Sequence, residues 1–231
     1  MARSPRPSDI GAFPRPSVAV DVAVVTVQPD GQLAVLVLRR TGDRAGQWAL
    51  PGRFVRDRER LADSVAIALA EKCGLPAAAL AGATPRQLHV FDDPARDDRG
   101  WVMSVAHLLG LPYERLSAHV AERADLALAP VRERRLQLPG RQRNLPYGQG
   151  AIVEYAVDEL RRRYLEEPDP EGLLGADEFS LAELRDLHAT VLDQPWQIDT
   201  FRRNMLPALT STDTVRSGTP GRPAALYRRS R

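Results

Sequence analysis

Thr200, Arg202, Arg203 and Asn204 gather hydroxyl, guanidinium and amide groups near the start of an expected helix. Exposed in the first two turns, such groups hydrogen-bond to base edges when a helix enters the major groove of DNA. Arg216, Arg222, Arg228 and Arg229 follow, suited to phosphates or a minor groove. The charge is graded to match. Residues 154–193 hold twelve carboxylates against four arginines, whereas residues 194–231 hold seven arginines against two aspartates. A basic end behind an acidic stretch implies an anionic partner for the C-terminus.

These side chains need a scaffold. Ser180 as N-cap with Glu183 at N3 makes a capping box, and Phe179 with Leu184 makes a hydrophobic staple. Leu181, Leu184, Leu187, Val191 and Leu192 supply a buried stripe, and residues 193–197 a turn. A second helix is expected from Asp199 as N-cap to about Leu206, before Pro207. Its Phe201, Met205 and Leu209 face inward, which leaves Thr200 and Arg203 on the opposite face. Residues 211–216 read as a strand, 217–221 as a turn and 222–229 as a returning strand. Helix, turn, helix and hairpin make a winged helix-turn-helix.

The rest of the 231 residues reads differently. Hydrophobic residues at 43% and charged residues at 27% place the chain among folded proteins. The single cysteine, Cys73, excludes an internal disulfide framework and Cys-cluster zinc sites. With no long apolar run and no apolar leader core, a cytoplasmic setting is expected. Residues 1–16 read as a flexible basic arm whose Arg3, Arg6 and Arg15 suit a minor groove. Residues 18–27 and 33–38 are apolar β-branched runs around the turn Pro29-Asp30-Gly31, a hairpin ending at Arg39-Arg40. Residues 60–73 have helical spacing, with Gly74 as C-cap. Residues 89–91 and 102–109 are further strands around a polar loop, and Ile152 to Tyr164 stripe a long helix. The pattern is α+β on a mixed sheet.

Gly52 to Leu75 resembles the Nudix box, G-x5-E-x7-R-E-U-x-E-E-x-G-U with U apolar. Gly52, Glu59 with one extra loop residue, and Ile67 to Leu75 keep its frame. In a working box, helix carboxylates at i, i+3 and i+4 share one face and hold Mg²⁺ against a pyrophosphate. Here those positions are Ala68, Glu71 and Lys72, and Ile67 replaces the arginine. Losing two anionic ligands and adding an ammonium weakens metal binding by several kcal/mol, taking about 1 kcal/mol or more per charge in a partly dry site. No catalytic residue and no metal ligand is therefore assigned. Residues 91–107 are similar to the strand-loop-strand that lines the cleft in the ADP-ribose branch of that family. Such a cleft binds without cutting. Arg39 and Arg53 offer guanidinium forks to phosphates, Arg99 reaches a second phosphate or a ribose, and Phe91 or Trp101 stacks on adenine. Trp48 is expected in the core.

The Phe-Ser-Leu-x-Glu-Leu start at 179–184, the Thr-Phe-Arg-Arg-Asn helix at 200–204 and the Gly-Arg-Pro-Ala-x-Leu-Tyr end at 221–227 resemble the NrtR family, Nudix-related regulators of NAD metabolism. The resemblance implies a Nudix-like mixed-sheet sandwich over 17–150 and a winged helix-turn-helix over 151–231. It implies a homodimeric repressor on palindromic operators of NAD biosynthesis or salvage genes, released by ADP-ribose as effector, with no required cofactor. The rival expectation is an ADP-ribose pyrophosphatase with a basic appendage.

Overall fold

The computed structural model describes residue 11, residues 13–216 and residues 224–230. Arg3, Arg6, Arg222 and the turn at 217–221 lie outside the described residues.

The N-terminal lobe is built on a curled mixed sheet in the order β5-β6-β1-β2-β7-β8. β1 (Ser17–Val27) and β2 (Leu33–Arg39) are the expected hairpin, paired antiparallel. β3 (Trp48–Ala49) pairs with β2, and β4 (Gly52–Phe54) with β1. β5 (Arg86–Phe91) flanks β6 (Val102–Gly110), which runs parallel to β1. β7 (Leu126–Arg132) adds to β2, and β8 (Arg135–Leu136) to β7.

Side chains alternate across a strand, and both faces of β1 are covered, which explains its unbroken apolar run. Val20, Val22 and Val24 pack against Val65, Leu69 and Cys73 of α1 (Leu61–Cys73) and Leu116 of α2 (Tyr113–Glu122). Ala23 and Val25 pack against Ile152, Ala156 and Leu160 of α3 (Gln149–Glu166). Each buried Val, Leu or Ile among these contributes about 1.5–3 kcal/mol. Gly74, at φ 66°, ends α1, and its amide donates to the Ala70 carbonyl while that of Leu75 donates to Leu69. Trp48 is 4% exposed in the core.

The sequence placed α3 with the C-terminal unit. In the structure its apolar face closes the sheet of the first lobe, because that stripe is what β1 and β2 lack on one side. Its far end meets the second lobe.

That lobe joins α4 (Leu181–Leu192) and α5 (Ile198–Met205) to a sheet ordered β10-β11-β9. β9 is Phe179–Ser180, β10 Leu209–Arg216 and β11 Ala224–Arg229. The capping box forms: Ser180 Oγ accepts from the Glu183 amide at 3.2 Å, and Glu183 Oε2 accepts from the Ser180 amide at 2.7 Å. The start of α5 differs by one residue. Gln197 is its N-cap without a side-chain bond, and Asp199 sits in the first turn, where its charge complements the helix dipole. Phe201 and Met205 are fully buried with Phe179 and Leu184. Among the described residues no helix is long and apolar enough to cross a membrane.

Candidate functional site

A cleft of about 230 Å³ opens where β1, β4, the last turn of α1, the 92–100 loop and the start of α3 converge. Arg40, Arg53, Lys72, Arg96 and Arg99 line it together with Asp21 and Asp97. Asp21, 6% exposed, is the charged residue inside the apolar run of β1. Its carboxylate accepts from Ser104 Oγ at 2.5 Å and Gln149 Nε2 at 2.6 Å, and Arg96 lies 3.5 Å away. Gln149 in turn accepts the Leu50 amide at 2.9 Å, so it ties α3 to the cleft floor. Gly52 faces Asp21 across the β1–β4 ladder. A Cβ there would lie 2.4 Å from Asp21 Oδ1 and 2.6 Å from the Val20 carbonyl, so only glycine fits.

Arg99 grips Asp97 with two bonds of 2.7 and 2.8 Å, which hold the Asp97 carboxyl below its usual range. Its guanidinium also stacks 4.1 Å above the Tyr147 ring. Tyr147 donates its hydroxyl to Asp43, and Arg40 faces the same ring at 4.8 Å. Arg53 donates to Glu59 at 2.6 Å, and that carboxylate also accepts the Arg56 amide and the Ser64 hydroxyl. The Arg56 amide first, then Arg53 and Ser64, bring the Glu59 carboxyl down to about 2. On α1, Ala68 is fully buried, Glu71 is exposed and Lys72 turns into the cleft. Burial first, then the Arg40 charge, lowers the Lys72 pKa. Among the described residues no group of three or more His, Cys, Asp or Glu could hold a metal ion.

Of the residues expected to contact a ligand, Arg53 and Arg99 line this cleft. The other three do not. Arg39 donates to the Gly46 carbonyl at 3.1 Å and lies over Trp48, because it alternates with Arg40 at the end of β2. Phe91 packs with His89 and Tyr155, and Trp101 stands 45% exposed outside the lining. Phe54, 43% exposed, and Tyr147 are the aromatic rings that line the cleft. Arg40, Lys72, Arg96 and Tyr147 were not among the expected contacts. The usable signal was Asp21, a carboxylate no β-sheet core needs.

On the second lobe, Arg202, Arg203 and Asn204 are exposed on α5 and Thr200 is half-buried. Arg228 is exposed. Arg229, next in β11 and on the other side of the strand, donates to Asp169 at 2.5 Å and is committed there. Arg216 belongs to β10.

A curled-sheet lobe with a basic cleft is thus joined to a lobe of two helices and a small sheet, arranged as a winged helix. Residues 173–229 match the model of the NrtR DNA-binding winged helix domain. The ADPR-responsive transcriptional repressor NtrR of Acinetobacter baylyi is 27% identical over 94% of this chain and 83% of its own. Shewanella oneidensis NrtR, solved with a 27mer DNA, is 29% identical over 92% of this chain and 93% of its own, with a TM-score of 0.73. The NUDIX domain of that protein, solved with ADP ribose, is 26% identical over 67% of this chain and 94% of its own, with a TM-score of 0.52. Over most of its length the chain is similar to NrtR proteins, and its C-terminal lobe matches their DNA-binding domain.

Proposed function

We propose that the protein is a transcriptional repressor that binds a palindromic operator as a homodimer and leaves it when ADP-ribose occupies the cleft. The family resemblance assigns it genes of NAD biosynthesis or salvage. The observation that carries the reading is five cations around one cleft in a chain whose second lobe presents an exposed Arg202-Arg203-Asn204 helix face. Clustered guanidinium groups suit a diphosphate, and Phe54 at the mouth offers a ring to adenine.

The lobe is read as binding without hydrolysis. The residues present do not fit a divalent ion: Ala68 has no ligand atom, the Glu59 oxygens are taken, and Lys72 brings a positive charge. Release of AMP from ADP-ribose with Mg²⁺ or Mn²⁺ would overturn this and favour a pyrophosphatase.

The effector can shift DNA affinity only by its unequal affinity for two conformations, and operator must weaken ADP-ribose by the same factor. A gel shift on DNA upstream of the protein's own gene is expected to lose its retarded band as ADP-ribose is added. Unchanged retardation rejects the switch. Arg203→Ala is expected to weaken operator binding by about 1–3 kcal/mol and to relax the sequence preference, measured by titration against operator and base-substituted duplexes.

A further inference from the structure

We propose that the Lys72 ammonium stands in for a divalent ion and holds the ligand's diphosphate directly, so that effector binding needs no metal. The inference rests on the reading of the cleft given above. Lys72 lies in the last turn of α1, and its carbonyl accepts from Arg123 at 2.9 Å, which fixes the turn. Its side chain is half-buried and lines the cleft.

Each of the four cleft arginines already spends one or more of its five donors within the protein. Arg53 holds Glu59, Arg96 holds the Tyr147 carbonyl, Arg99 holds Asp97, and Arg40 donates to the Asp43 carbonyl. Among the described residues the Lys72 ammonium has neither a hydrogen bond nor an ion pair. A cation half withdrawn from water without a hydrogen-bonded partner is costly, and Arg40 and Arg53 nearby add like charge that the Asp21 carboxylate offsets only in part. A diphosphate relieves both costs. The same arrangement repels a second cation, since the Asp21 oxygens are spent on Ser104 and Gln149. An ammonium is a compact point charge with three donors, closer to a bound ion than a planar guanidinium is.

Lys72 is the only lysine in the chain, so a [15N]lysine label reports one side-chain nitrogen. In full-length protein with EDTA, ADP-ribose is expected to shift the Lys72 Nζ resonance, and inorganic pyrophosphate to shift it too. Calorimetric affinity for ADP-ribose is expected to be the same with EDTA as with Mg²⁺. Lys72→Met, which keeps the apolar stem, is expected to bind about 10- to 100-fold more weakly while retaining its circular dichroism. An unmoved Nζ resonance in a binding protein, binding lost in EDTA, or Lys72→Met binding as tightly as wild type each overturns the role of Lys72 alone. Wild-type protein that takes up no ADP-ribose with or without metal removes the cleft reading and this inference together.

Discussion

Asp169→Ala is expected to lower unfolding stability by about 3–5 kcal/mol, the cost of breaking a buried hydrogen-bonded ion pair from one side. Asp169 has a side-chain exposure of 0% at the joint between the lobes. Its carboxylate accepts from Tyr164 Oη at 2.7 Å, the Leu173 amide at 2.8 Å, the Leu174 amide at 3.2 Å and Arg229 at 2.5 Å. Arg229 is a third exposed, so water replaces part of what it loses. The Tyr164 hydroxyl and Leu173 amide are buried, and each orphaned group costs about 1–3 kcal/mol. Asp169 also sits at φ 46°, a conformation that alanine tolerates less well than aspartate or asparagine. Asp169→Asn, with similar shape and no charge, is expected to fall between alanine and wild type. Urea unfolding at neutral pH measures all three, and a loss under 1 kcal/mol for alanine refutes the knot's importance.

His188 gives the second large effect, this time in acid. It is fully buried, and its rings of contact are Tyr164, Trp196 and Phe201. Nδ1 meets the Tyr164 carbonyl at 2.7 Å, and Nε2 accepts the Asp169 amide at 3.2 Å, which defines a neutral ring with its proton on Nδ1. Burial brings its pKa down to about 4. An unfolded histidine titrates near 6.5, so between these values the unfolded chain binds more protons. Stability from this group is full above pH 6.5 and falls as pH drops towards 4, by about 3 kcal/mol. The comparison is wild type against His188→Gln, which does not titrate: the gap between their unfolding free energies should narrow by that amount from pH 6.5 to pH 4. Parallel curves would sink the assignment.

How much of this was legible differs by element. The runs in β1 and β2 announced strands because both faces of that sheet are covered. The Ser180 box announced α4 because its signal is local and reciprocal. α2 was not assigned because its apolar face is short: Leu116 is its one fully buried residue, with Val120 a turn later packed partly buried beside it. β7 hides behind Pro130, which removes a ladder donor, yet it pairs along β2. The parallel pairing of β1 with β6 is fixed by packing across distant segments, which no local pattern encodes. The same holds for the cleft. Asp21 and Gln149 meet although 128 positions apart, so guanidinium groups were readable as phosphate partners but not which arginine of a pair, Arg39 or Arg40, would turn inward.

α3 touches both ends of this molecule. Gln149, its first residue, is bonded to the cleft carboxylate Asp21, and Tyr164, two residues from its other end, packs on His188. Eighteen residues make a rod about 27 Å long at 1.5 Å per residue. A tilt of about 5° pivoting at the Gln149 end sweeps the Tyr164 end through about 2 Å over that length. The helix is thus one continuous rod from the cleft carboxylate to the core of the second lobe, and a shift of that size at its far end exceeds the tolerance of a hydrogen bond.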